Sequence, residues 1–186
     1  MTMDAETTTM PPAIEQFVLH WGEMGTRWGV NRSVAQIHAL LYVSDKPKTA
    51  EEISETLGLA RSNVSNSLKE LLTWQLIRRV HVMGDRRDHF AAETDLWDML
   101  LRIAIGRKQR EIDPTIEVMN RCVAQAEADS KVSKHAKARI NEMLDFMTTM
   151  DNWFTDMASV PKPKLLAMMK MGKTIMKFVR GTSPKK

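Results

Sequence analysis

Gly58-Leu59-Ala60-Arg61-Ser62-Asn63-Val64-Ser65-Asn66-Ser67-Leu68-Lys69-Glu70-Leu71-Leu72 is the stretch that decides the fold. Wound as an α-helix, it lines up Val64, Leu68, Leu71 and Leu72 as an apolar stripe and turns Ser62, Asn63, Ser65, Asn66 and Lys69 towards the other side. A merely solvated face tends to carry long, alternating charges, whereas these short polar groups allow close approach to another surface. Asn, Ser and Lys also match the donors and acceptors on base edges and phosphates in a DNA major groove. Alone, the helix also reads as an ordinary polar surface helix, and Ser65 lies nearer the apolar stripe than Asn66. Its neighbours decide between the two readings.

Upstream, Thr49-Ala50-Glu51-Glu52 has capping-box spacing, in which the Thr49 hydroxyl and the Glu52 carboxylate each satisfy an orphan backbone donor. Ile53 and Leu57 face inward, and Gly58 stops that helix. A short helix, a glycine turn and a second helix with a polar outer face make a helix-turn-helix. Downstream, Leu76 to Val82 alternates and leads through Met83-Gly84-Asp85-Arg86-Arg87 into Asp88 to Ala92, a hairpin signal. With residue 85 at the centre of the turn, Val82 opposes Asp88 and Val80 opposes Phe90. Val80, Val82 and Phe90 then share one face, while Arg79, His81 and His89 share the other. Arg86 and Arg87 occupy the tip beside Asp85. A wing with arginines at its tip can place a guanidinium in the minor groove while the helix occupies the major one. The alternative, a solvated hairpin tip, loses ground to the order helix, helix, helix, wing.

The flanks are helical. Residues 1–12 are Thr-rich and aperiodic, as in a disordered arm. From Ala13, Phe17, Trp21, Met24 and Trp28 recur along one side of a helix weakened by Gly22, Gly25 and Gly29, and glycine on a packed face often marks close helix approach. Core or dimer packing suits this stripe better than an aromatic box for a cation. Asn31 or Ser33 caps a second helix carrying Val34, Ile37, His38, Leu41 and Tyr42. Helical sequence resumes at Thr94, with Asp113-Pro114 reading as an N-cap and first-turn pair. Ser133 opens a helix with a Met-rich stripe of Ile140, Met143, Leu144, Met147, Met150, Phe154 and Met157, adaptable material for a core or a dimer. Leu165 to Arg180 reads as a basic amphipathic helix, docked on a partner subunit, lying on a membrane or touching flanking DNA phosphates.

Charge is segregated along the 186 residues. Residues 1–60 hold four Lys or Arg against eight Asp or Glu, 61–92 six against three, 93–160 nine against twelve, and 161–186 eight against none. The two basic zones point to a polyanion, nucleic acid or an anionic membrane surface. One cysteine, Cys122, excludes an internal disulfide framework. With neither a signal-peptide pattern nor a run near the ~18 apolar residues of a membrane span, a cytoplasmic protein is expected. The five histidines and Cys122 show no metal-ligand spacing, and neither a phosphate-cradling glycine loop nor a nucleophile motif is present. The expectation is a non-enzyme with no cofactor or metal. His81 and His89 would lie close across the wing, where a pair facing DNA phosphates suits them better than a metal.

Thr49–Leu72 followed by Arg78–His89 resembles the winged helix-turn-helix of bacterial MarR-type regulators. The Asp85-Arg86-Arg87 tip is similar to that family's wing motif, in which an Asp orients an Arg towards the minor groove. Phe17-Val18-Leu19-His20-Trp21-Gly22, with Arg61–Leu72, resembles the family's GbsR branch. The resemblance implies a mainly α fold with a small β-wing, and a homodimer joined through its terminal helices on a pseudo-palindromic operator. It also implies a transcriptional regulator, expected to be a repressor, released by a small effector such as a choline-like osmolyte. The division expected is an arm over 1–12, an N-terminal dimerisation helix over 13–30, a winged domain over 31–92, a helical dimerisation region over 93–180 and a basic tail over 181–186. Ser62, Asn63, Asn66 and Ser65 are expected to read bases, and Thr49, Arg61 and Lys69 to hold phosphates. Arg79 is expected on the DNA-facing side, and Arg86 and Arg87 in the minor groove, with Asp85 orienting the wing. Phe17, Trp21, Ile140, Leu144, Met147 and Phe154 are expected at the dimer interface. The alternative is a helical protein binding a membrane surface or a partner through its basic C-terminal helix.

Overall fold

In the computed structural model, backbone is described for residues 10–181 and side chains for 10–172. The chain divides into two units, the first ending at Ile103 and the second starting at Ala104. In the first, α1 (Pro12–Arg27) packs on α2 (Arg32–Tyr42), and α2, α3 (Ala50–Leu57) and α4 (Arg61–Thr73) pack on a small antiparallel sheet. Its strands are β1 (Lys48–Thr49), β2 (Ile77–Val82) and β3 (Asp85–Ala92), in the order β1-β3-β2. The helix α5 (Leu96–Arg107) crosses the division. The fold is mainly helical with a three-stranded antiparallel sheet, a winged helix-turn-helix.

The helix ends form where short polar side chains satisfy backbone donors. Asn31 caps α2 by accepting from Ser33 N at 2.9 Å. At α3, Thr49 Oγ1 accepts from Glu52 N at 3.2 Å, and Thr49 N donates to Glu52 Oε2 at 2.6 Å. Those bonds hold the Glu52 carboxyl below its ordinary range, the backbone bond from Thr49 contributing most. Gly58 closes α3 at φ 62, a left-handed conformation that suits glycine. The inward faces of these helices meet in a core where Ile37, Ile53 and Val64 are wholly buried and Val18 and Leu71 nearly so. Burial of each such side chain contributes roughly 1.5–3 kcal/mol.

Several expectations change here. In α1 the buried positions are Val18 and Gly22, while Trp28 lies beyond the helix and is 59% exposed. The helix meets α2 through glycine because space is short: a Cβ on Gly25 would sit 2.5 Å from Ala35 Cβ. α1 thus packs within the first unit, and Phe17 and Trp21, stacked at 5.5 Å, lie against that unit's own core. The wing turn is Met83-Gly84, and β2 pairs with β3 as Val82↔Asp85, Val80↔His89 and Arg79↔Phe90, with an irregularity between Val80 and Val82. The expected pairs Val82 with Asp88 and Val80 with Phe90 are therefore not formed. The short β1, which pairs Thr49 with His89, has too few residues to show a period in sequence.

The second unit is built differently. α5 runs through a π-helical turn, Lys108–Ile112, into α6 (Asp113–Ala128), so Asp113-Pro114 marks the exit from that turn. Asp113 does not cap the helix; its carboxylate binds Lys108 Nζ, which also lies 2.9 Å from Asp151 Oδ1. Ser133 caps α7 (Lys134–Ser159), accepting from Ala136 N at 3.1 Å, and α8 spans Lys162–Gly181. Among the described residues of this unit only Ala126 is buried. The arm expected over 1–12 lies through residue 9 outside the described residues, Pro12 already belonging to α1, and the basic tail lies outside them from residue 182. No helix among the described residues is long and apolar enough to cross a membrane.

Candidate nucleic-acid interface

The helix α4 buries Val64, Ser67, Leu68 and Leu71 and leaves Arg61, Ser62, Ser65, Asn66 and Lys69 exposed. Ser62, Ser65, Asn66 and Lys69 follow a spacing of three, four and seven residues, a single outward stripe. Ser65, ambiguous in sequence, belongs to it. Asn63 does not: its Nδ2 donates to Ser33 Oγ of α2 at 2.8 Å, and its Oδ1 accepts from the Ser67 hydroxyl at 3.4 Å. That side chain ties α4 to α2 and is withdrawn from base reading. Thr49 is likewise withdrawn from phosphate contact, because it is wholly buried and its hydroxyl is engaged with Glu52.

The wing carries the second half of the surface. Asp85 accepts from Arg87 N at 2.9 Å and from Arg87 Nε at 3.0 Å, and it also binds Arg87 Nη2. A guanidinium gripped at two of its three nitrogens has few orientations left. The bonds from Arg87 hold the Asp85 carboxyl well below the usual carboxylate range, and Asp85 in turn raises the Arg87 guanidinium. Arg86 stays exposed, and Arg79 Nε lies 3.7 Å from Asp88 Oδ2. Between α4 and the wing lies a cleft of about 510 Å³ whose walls include Ser65, Lys69, Arg79, Arg86 and Arg87. Short polar groups on a helix, next to a cleft walled by four cations, form a surface suited to a groove and its phosphates.

His89 differs from expectation. It is buried, with Nδ1 3.0 Å from Arg87 O and Nε2 3.5 Å from Asp85 Oδ2, so it supports the clamp from beneath. His81 is exposed, within the irregular stretch of the hairpin, and the two do not form an outward pair. The signal for this support was the alternation Asp85, Arg87, His89, which puts all three on one side of a strand. Among the described residues no group of three or more His, Cys, Asp or Glu could hold a metal. In the second unit, Ile140, Leu144, Met147 and Phe154 are half-buried. The exposed side chains are Met143, Phe146, Met150 and Trp153, which recur at three, seven and ten residues along α7. The sequence stripe contained the two methionines but not the two aromatics.

Residues 28–88 match the MarR family. That segment is the winged helix-turn-helix described above, and it is similar to the MarR family over that length. Beyond it, the chain is 21% identical over 140 residues to YvaV of Bacillus subtilis (strain 168), whose name places it among HTH-type transcriptional regulators. The match covers 74% of this chain and 78% of YvaV. The HTH-type transcriptional repressor OpcR of the same organism is 19% identical over 121 residues, 63% of this chain and 65% of OpcR. A solved transcriptional regulator superposes with a TM-score of 0.53 at 22% identity, covering 79% of this chain and 96% of its own, which shows the shared fold. The MarR-type match ends at the wing clamp, so the helices after it stand on their own geometry.

Proposed function

We propose that this protein is a transcriptional regulator that binds a specific double-stranded DNA site as a homodimer. The observation that carries the reading is the exposed row Ser62, Ser65, Asn66 and Lys69 beside the Arg87 fork held by Asp85. In that assignment α4 enters the major groove, where Asn66, Ser62 and Ser65 read base edges. Arg61 and Lys69 hold phosphates, while Arg87, with Arg86, enters the minor groove. Arg79 faces the same DNA, partly offset by Asp88. Two copies related by a two-fold axis would place their α4 helices about 34 Å apart, in successive major grooves. The exposed stripe Met143, Phe146, Met150 and Trp153 supports the dimer, since its spacing is that of a helix seam completed by a second copy.

The relative named as a repressor supports repression here. Release by a small choline-like effector, in the manner of the GbsR branch, belongs to the same proposal. A cavity of about 480 Å³ in the second unit, lined by Phe146, Met147, Met150, Trp153 and Phe154, offers aromatic faces to a cation, while its carboxylates Glu111 and Asp151 are paired with Arg107 and Lys108 of the same lining. It shares Phe146, Met150 and Trp153 with the exposed stripe, so an occupant would touch the dimer seam directly.

Competition titrations on a duplex selected by the protein and on a scrambled duplex test the division of roles. Asn66→Ala is expected to lose about 1–3 kcal/mol on the selected duplex only. Lys69→Ala is expected to weaken both duplexes alike and to lower the slope of log affinity against log salt by about one. Equal losses from the two variants on both duplexes would contradict the assignment.

A further inference from the structure

At the outer end of the wing stands an apolar side chain with nothing over it. Met83 is 102% exposed, and Val82 beside it is 37% exposed. The turn is only two residues long, closed by the pair Val82↔Asp85, with Gly84 taking the left-handed φ of 83 that the turn requires. A tight hairpin turn ordinarily pairs its glycine with Asn or Asp. Single exposed apolar residues are common on protein surfaces and carry no message alone. Met83 is set apart by its place: it leads a projecting hairpin and is followed at once by the Asp85-Arg87 clamp and by Arg86. An unbranched, polarizable arm therefore protrudes from a cationic collar whose charges favour DNA.

We propose that Met83 enters the minor groove and wedges a base step open, so that the wing bends its DNA as well as gripping it. The minor groove is about 6 Å wide, which admits a slender apolar side chain. Methionine is among the side chains that unstack base pairs in architectural proteins. Arg86 and Arg87 would hold the flanking phosphates or groove floor while the step opens. Pyrimidine–purine steps unstack most easily, so the wing would favour TA or CA at its contact point without a hydrogen bond to either base. This inference rests on the DNA-binding reading above.

The test uses the full chain and a 30-base-pair-class duplex, roughly three helical turns, enriched by the wild-type protein from a random pool. End-to-end fluorescence energy transfer reports bending, and 2-aminopurine placed at the step under the wing reports unstacking. Met83→Ser and Met83→Leu both lie at a fully exposed turn position, where the fold does not depend on the side chain. The expected result is that wild type and Met83→Leu bend the duplex and brighten the 2-aminopurine. Met83→Ser is expected to do neither and to lose affinity by about tenfold or less, with an unchanged salt slope, since no phosphate contact is removed. Met83→Ser that bends and unstacks like wild type, or that loses salt slope, would overturn the wedge while leaving DNA binding intact. Wild-type protein that enriches no duplex would instead overturn the DNA-binding reading itself.

Discussion

The two units differ in what holds them. The winged unit buries Ile37, Ile53, Val64 and Leu71 to within 1% of complete burial, whereas α7, 26 residues long, buries no side chain fully and leaves Phe146 63% and Trp153 57% exposed. Both stretches are comparably apolar in pattern, so the difference is one of partners. α4 meets α2, α3 and the sheet in its own chain; α7 packs against α6 and presents a second apolar face outward. A large exposed apolar stripe on a long helix is the mark of a surface that another molecule covers. The winged half is held by its own core, whereas the helical half leaves an apolar face uncovered.

The contrast breaks or sharpens most strongly on core truncation. Ile53→Ala is expected to cost about 2–5 kcal/mol, read as the shift of the chemical-denaturation midpoint. Leu144→Ala, at a half-buried position of α7, is expected to cost ~1 kcal/mol in dilute protein. Equal costs would erase the distinction between the units.

Acid comes next. His38 is buried in α2 with its Nε2 unpartnered, and burial lowers its pKa from 6.5 to about 4. Because the folded state keeps the imidazole neutral while the unfolded chain protonates it near 6.5, stability is complete above that pH and falls as the pH drops towards 4. The loss amounts to about 3 kcal/mol, and His38→Leu is expected to flatten that part of the profile. A parallel pH profile for variant and wild type would remove His38 from the account.

A smaller effect belongs to the α1–α2 contact. Gly25→Ala puts a methyl group against Ala35 and is expected to destabilise by roughly 1–3 kcal/mol, reduced by the better helix propensity of alanine. A stabilised variant would mean that the two helices have room to separate. The smallest effect on the fold is expected from Phe146→Ser combined with Trp153→Ser. Removing two exposed aromatics should leave the denaturation midpoint of dilute protein within about 0.5 kcal/mol while weakening self-association in sedimentation. Unchanged sedimentation would take the stripe out of the dimer.

What was legible in the sequence was local. The Thr49–Glu52 capping box, the Gly58 stop, the Ser133 cap and the Val64, Leu68, Leu71 stripe are each written within a few residues, and each forms. What was not legible depends on distant partners. Asn63 looks like its outward neighbours until Ser33, thirty positions earlier, takes its amide. Thr49 reads as an exposed cap until β3 covers it, and the wing register slips because the irregularity after Val80 shows no signal in an alternating run. The site was legible to the same extent: Asp85, Arg87 and His89 lie two residues apart and their clamp forms, while the burial of His89 required the strand pairing.

The measurement that bears most directly on the central claim is a gel shift with mass-resolved stoichiometry, on the DNA flanking the protein's own gene, at low and moderate salt with unlabelled scrambled competitor. The account predicts a complex of two chains per duplex that survives both salt and competitor. Loss of all retention to salt or to scrambled DNA would contradict it, leaving a basic surface with general affinity for polyanions.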